Sequence, residues 1–151
     1  RKIIKNNNEQ VAQQVRCALD AGLVPLICVG EDAKGYADGH YLEQLTEQLT
    51  PIINIVTLSS RRQSPLMICY EPTWAIGSNA SASPEHIETV FFWLKNLLEK
   101  EKLFDQATFL YGGAVSSENV ATLKKIKLLG GLLLGRASLN FQEFEKIVHY
   151  E

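Results

Sequence analysis

Cysteine is scarce in this sequence: Cys17, Cys28 and Cys69 are the three in 151 residues, and no two stand in C-x-x-C spacing. An odd, scattered set excludes a disulfide framework and a cysteine zinc site. It predicts reduced core thiols in a cytoplasmic protein. No sign of charge predominates, since 15 Lys and Arg face 17 Asp and Glu for a net charge of −2 with neutral histidines. That balance argues against a nucleic acid or an anionic membrane as partner. A membrane span needs ~20 apolar residues in a row, and runs such as Leu132–Leu134 fall far short of it. No signal peptide is recognisable. Nor is there an initiator methionine: the chain opens on Arg1, and "RKIIKNNNEQ" reads as the interior of something longer. The three histidines do not fall where chemistry is expected. His40 and His86 lie in helical patterns and His149 lies near the end, so all three read as surface residues. Neither a serine–histidine–acid set nor a metal-ligating cluster is visible.

Hydrophobic residues, by contrast, make up 46% of the chain, ordinary for a globular domain and too many for a disordered one. Four short, nearly continuous apolar runs stand out: 24–30 (VPLICVG), 65–71 (PLMICYE), 107–113 (ATFLYGG) and 130–136 (GGLLLGR). Such runs predict strands buried on both faces of a parallel sheet. Between them lie helical patterns. Residues 9–21 place Val11, Val15, Ala18 and Leu19 on one face, with Gly22 as C-cap. Residues 84–99 repeat Ile87, Val90, Phe91, Leu94, Leu97 and Leu98, with Ser83 as N-cap, Pro84 at the first position and Glu85 at the positive dipole end. Ser116 or Ser117 is expected to cap a short helix carrying Val120, Leu123 and Ile126, and a last helix is expected over 141–148. Leu42, Leu45 and Leu49 make the middle of 36–57 helical, with Pro51 expected to interrupt or bend it.

One helix followed by four β-α units is an α/β pattern, with a parallel sheet and right-handed crossovers. Its closed form is the (β/α)8 barrel, of which residues 1–151 supply four strands, the C-terminal half of a single barrel domain in the reading developed below. Half a barrel leaves two open edges and exposes the apolar side chains that a whole barrel turns inward.

Ligands of parallel α/β folds bind beyond the carboxyl ends of the strands. Those ends read Gly30-Glu31, Glu71-Pro72, Gly112-Gly113 and Gly135-Arg136. A carboxylate at the mouth of a buried strand loses solvent, which makes Glu71 a candidate general base; a merely solvated acid is the plainer alternative. The glycines could turn backbone N–H groups towards a phosphate, or could only form tight turns. The loop 72–83, PTWAIGSNASAS, has a stiff start, a bulky anchor and small residues, as a lid hinged at Pro72 and near 78–80 would; an ordinary surface loop is the alternative. Glu31 could pair with Asp32 and Lys34 in a structural ion network. Cys28 and Cys69 are expected to be buried inside strands.

Taken together, YEPTWAIGS (70–78), YGGAV (111–115), LLLGRASL (132–139) and PLICVGE (25–31) resemble the triosephosphate isomerase family, in that family's order, over nearly the whole chain. The first string is highly specific. The resemblance covers strands five to eight of the family's barrel, and even RKII resembles the turn after strand four. It implies an aldose–ketose isomerase of glycolysis and gluconeogenesis, cytoplasmic and homodimeric, that interconverts dihydroxyacetone phosphate and glyceraldehyde 3-phosphate without cofactor or metal. On matching positions, Glu71 is implied as the base and Pro72, Thr73, Trp74, Ala75, Ile76, Gly77 and Ser78 as the lid. Backbone N–H groups of Gly77, Ala114, Gly135 and Arg136 are implied as the phosphate site. Cys28, Glu31, Tyr111, Gly112, Gly113 and Ser138 are implied as supporting residues. Ala114 stands where the family usually has a serine that helps to hold the closed lid, which implies less complete closure. Arg136 stands where the family usually has glycine, and SNASAS replaces its Gly-Lys-Thr hinge. The family's lysine and asparagine after strand one and histidine after strand four have no counterpart here, so residues 1–151 alone are expected to be inactive. Two other readings remain: another phosphate-binding barrel enzyme, and a non-catalytic half-barrel assembly or phosphate-binding module.

Overall fold

The computed structural model describes residues 6–60, 64–78 and 80–150. The RKII segment and Asn79, within the expected 78–80 hinge of the loop, lie outside the described residues. Four strands, β1 (Leu26–Val29), β2 (Leu66–Tyr70), β3 (Ala107–Tyr111) and β4 (Leu129–Leu132), form one parallel sheet in the order β1-β2-β3-β4. Chain order and spatial order coincide, as successive crossovers of one hand require. The helices are α1 (Asn8–Asp20), α2 (Ala33–Ala37), α3 (Tyr41–Leu58), α4 (Pro84–Lys100), α5 (Val120–Leu123) and α6 (Phe141–Val148). The expected alternation is therefore present, with the short α2 added after β1.

Each strand is shorter than the apolar run that announced it. The ladder stops where the chain turns towards its ligand end, so Glu71 follows β2 and Gly112 follows β3. The last run gives β4 at Leu129–Leu132, because Arg136–Leu139 winds into a single 3-10 turn.

Burial on both faces, expected from the apolar runs, is only partial. Ile27, Val29, Leu66, Ile68 and Phe109 are buried on the helix-covered face, whereas Leu26 and Met67 on the opposite face stay 45% and 39% exposed. Leu26 pairs with Met67, and Cys28 with Cys69, in the β1–β2 register. Cys28 is accordingly exposed, and so is Cys17 on α1; only Cys69 is buried among the three, which corrects the expectation of core thiols. Helices cover one face of the sheet, and the other stays partly open.

The core lies between sheet and helices. Leu45, Leu49, Ile52, Ile53 and Val56 of α3, with Ile87, Val90, Phe91, Leu94 and Leu98 of α4, form one cluster with the strands. Phe91 rests on Phe109 with ring centroids 5.5 Å apart. Helix α1 packs on α3.

Helix ends follow the local chemistry. The Ser83 hydroxyl accepts from the His86 N–H at 3.2 Å, with Pro84 at the first position, as the sequence predicts. Asn7 and Gln10 make a capping box at α1, and Gly22 follows its C-terminus at φ +74°. Ser116 and Ser117 do not cap α5. Asn119 precedes that helix, and the Ser117 hydroxyl turns instead to Glu143 of α6 at 2.9 Å. Pro51 does not interrupt α3 either. A proline inside a helix frees the carbonyl four residues earlier. That carbonyl, of Glu47, accepts from the Asn8 side-chain amide of α1 at 2.9 Å.

Candidate active site

The carboxyl ends of all four strands gather at one edge of the sheet. Beyond β2 the ladder continues for one bond, from the Glu71 N–H to the Val29 carbonyl at 2.7 Å; beyond β3, the Gly112 N–H reaches the Tyr70 carbonyl at 2.9 Å. These bonds hold the backbone of Glu71 as firmly as a strand residue, while its side chain lies over the sheet end. Burial raises the Glu71 carboxyl above the ordinary glutamate value of 4.5, and a hydrogen bond with the Cys28 thiol lowers it in part. The Cys69 thiol stays protonated, pushed up by its hydrogen bond with Cys28 and by burial.

The glycines after β3 answer to space, not to positive φ. A Cβ on Gly112 would stand 2.8 Å from the Cys69 sulfur and 3.4 Å from Glu71 Cγ. A Cβ on Gly113 would stand 1.9 Å from the Tyr111 hydroxyl. Glycine therefore leaves room for the acid in one case and for a lid contact in the other.

The loop 72–83, the expected lid, is anchored at both ends. At its start, Trp74 Nε1 donates to Glu31 Oε1 at 2.7 Å, and the Thr73 N–H donates to the Glu31 carbonyl at 2.9 Å. The same Glu31 oxygen accepts from the Tyr70 hydroxyl at 3.0 Å, and that hydroxyl also meets His86 Nε2 at 2.9 Å. Tyr36 stacks on Trp74 with centroids 4.4 Å apart. At its end, the Tyr111 hydroxyl accepts from the Ala82 N–H at 2.9 Å and meets the Ser81 hydroxyl at the same distance.

Two expectations change here. Glu31 is fully buried and bonds to Trp74 and Tyr70, so it anchors the start of the 72–83 loop instead of pairing with Lys34. His86 is not a surface histidine: its side chain is 12% exposed and stands 3.7 Å from Glu31. Burial pushes the Glu31 carboxyl up, but hydrogen bonds with His86, Trp74 and Tyr70 outweigh it, and the net result lies below 4.5. A carboxyl lowered by folding adds stability above its unfolded pKa, and this is lost as pH falls through the folded value. In a Trp93→Phe background, acid titration of the tryptophan near-ultraviolet dichroism is expected to show a transition below pH 4.5 that Glu31→Gln removes. A transition below pH 4.5 that persists unchanged in Glu31→Gln would contradict the anchor.

Glu71, Gly77, Ala114, Gly135 and Arg136 line one open cleft of ≈910 Å³, with Ile76 and Ser78 of the lid on its rim. Ser138 holds the far wall, its hydroxyl donating to the Gly135 carbonyl at 2.7 Å. Asn119 shapes the near wall: its amide donates to the Ala114 carbonyl at 2.7 Å, and its oxygen accepts from the Ser116 N–H at 2.9 Å. Cys28 lines the opposite side of Glu71, beside Gly30 and Thr73. Tyr36, Tyr70, His86, Ser81 and Asn119 were not singled out by sequence reasoning. Tyr70 carried a signal, since alternation along β2 must send it to the face opposite Glu71. The others meet only through tertiary folding. Among the described residues no cluster of His, Cys, Asp or Glu suits a metal ion.

An open parallel sheet with helices on one face, and its polar groups at the carboxyl strand ends, is an α/β fold with the architecture of half a TIM barrel. A model of the triosephosphate isomerase family matches residues 1–151. Triosephosphate isomerases similar to this chain include those of Vesicomyosocius okutanii, 34% identical over 149 residues, and Blochmanniella pennsylvanica, 36% identical over 146 residues. That of Coxiella burnetii is 37% identical over 146 residues. The matches cover 97%, 95% and 93% of this chain, and 59%, 56% and 55% of those proteins. The chain belongs to the triosephosphate isomerase family, and it spans somewhat more than half the length of these relatives.

Proposed function

We propose that residues 1–151 form the C-terminal half of a triosephosphate isomerase barrel, and that Glu71 is its base. The observation that carries this reading is the single cleft shared by Glu71, the lid tip and the three strand-end residues Ala114, Gly135 and Arg136. Acid–base tuning and lid closure are the established chemistry of the family; the residues here supply a place for each part. Glu71 would remove a proton from C1 of dihydroxyacetone phosphate, leaving an enediolate, and return it to C2 while the hydroxyl proton passes from O1 to O2, a transfer left to the groups of the other half, to give glyceraldehyde 3-phosphate. Its raised pKa suits both halves of that exchange. Backbone N–H groups of Gly77, Ala114, Gly135 and Arg136 would hold the phosphate, and the lid would exclude water from the enediolate.

The exposed Leu26 and Met67 support the same reading, because four further strands would cover them. Groups that stabilise charge on the enediolate supply a large share of such catalysis, and the resemblance assigns them to the other half. The complete protein is therefore proposed as a cytoplasmic homodimer of glycolysis and gluconeogenesis, with these 151 residues inactive by themselves.

The test is to assay the chain alone and fused behind the first four β/α units of the Coxiella burnetii relative. Conversion of glyceraldehyde 3-phosphate is expected from the fusion only. A fusion that folds cooperatively yet shows no turnover would refute the proposal, as would turnover that survives Glu71→Gln.

A further inference from the structure

The phosphate reading uses only the backbone of Arg136 and leaves its side chain unexplained. That side chain crosses the cleft: Nη2 donates to the Ser78 carbonyl at 2.7 Å. The two residues stand 58 positions apart, one at the lid tip and the other at the turn after β4.

The bond falls where the lid is otherwise self-contained. The lid's ends are fixed by Glu31 and Tyr111, but the Ser78 hydroxyl bonds within the lid, to the Ala75 carbonyl at 3.1 Å and the Ala80 carbonyl at 2.8 Å. Gly77, at φ +72°, gives the tip its sharp turn. Ala114, on the facing wall, presents a methyl group and no hydroxyl. A guanidinium carries five N–H donors in a planar fork, so it can hold a carbonyl and an anion together. Ser78, Arg136, Gly135 and Gly77 all line the same cleft.

We infer that Arg136 is the latch of the lid. Its guanidinium ties the Ser78 carbonyl to the turn after β4, and it shares its remaining donors with the phosphate dianion of the ligand. Lid closure and recognition of the dianion then depend on one positioning residue. The share in phosphate rests on the proposed isomerase function; the latch itself does not.

Hydrogen–deuterium exchange of residues 73–78, read by mass spectrometry in the full chain, tests both parts. Arg136→Ala is expected to speed exchange of this segment about tenfold, the order set by losing one charge-assisted hydrogen bond, while α4 exchanges as before. Arg136→Lys is expected to fall between the two, since it keeps the charge without the fork. Inorganic phosphate is expected to slow lid exchange in the parent chain and much less in Arg136→Ala. Unchanged lid exchange in Arg136→Ala overturns the latch, whatever phosphate does. Equal protection by phosphate in both chains overturns the shared guanidinium. An Arg136-dependent lid that phosphate protects in neither chain upholds the latch and counts against the phosphate site.

Discussion

Glu71→Gln is expected to lower turnover of the completed barrel by about a thousandfold, within the range of a lost general base. Glutamine keeps the shape of the side chain, so the cleft should survive; it cannot take up the proton. The pH dependence carries a second signature. Burial raises the Glu71 carboxyl above 4.5, so the acidic limb of the pH–rate profile should lie above that value. The Cys28 hydrogen bond works in the opposite direction, and Cys28→Ala should therefore move the limb further up. Stability has a definite sign too. A carboxyl raised by folding binds its proton more tightly when folded, so stability falls as pH rises from the unfolded pKa through the folded one. Glu71→Gln should remove that slope. A profile whose acidic limb stays at or below 4.5 would exclude Glu71 as the titrating base.

Gly30→Ala is expected to cost at least about 3 kcal/mol, at the upper end of overpacking substitutions. Alanine at this position would place its Cβ 2.0 Å from the Glu71 carbonyl oxygen, 2.4 Å from the carbonyl carbon and 2.8 Å from the Pro72 nitrogen. All three are backbone atoms, which no rotamer change can move aside. Gly30 cannot easily retreat. Its N–H donates to Gln48 Oε1 at 3.1 Å and its carbonyl accepts from Gln48 Nε2 at 2.9 Å, so α3 grips it from behind. Relief must come from Glu71 and Pro72, the proposed base and the first residue of the proposed lid. Thermal unfolding is expected to shift down by about 6–12 °C for a barrel of this size class. Any turnover that remains should show a larger loss in kcat than in KM. A midpoint within 2 °C of the parent protein would show that the β1–β2 ends are looser than these distances imply.

Much of this architecture is legible in the sequence because parallel strands and their helices are written locally. Apolar runs that end in Gly or Glu mark β1 to β4, and Ser83-Pro84-Glu85 marks the start of α4. Position alone leaves Glu71 ambiguous; the string PTWAIGS after it favours a base by resemblance. What stayed hidden depends on contacts between distant segments. The partners of Glu31 come from Tyr70, Trp74 and His86, on three different elements, and no spacing rule joins them. Burial of both sheet faces was misread because an apolar run states that a strand can be covered, not that this half of the barrel covers it. Ser117 and Pro51 were misjudged for the same reason: a capping hydroxyl and a helix breaker behave by rule only until a neighbouring element offers another partner.

The bond between Asn8 and the Glu47 carbonyl carries a consequence for heredity. Pro51 and Asn8 form one unit split across two helices, since the donor is needed only because the proline has withdrawn its own. Where descent replaces Pro51 with a residue that has an N–H, the Glu47 carbonyl regains a helical donor and no longer needs the Asn8 amide. Where the proline stays, loss of Asn8 leaves that exposed carbonyl to water. The two positions are therefore coupled, weakly, through one carbonyl oxygen that a backbone N–H at 51 or the amide at 8 can satisfy.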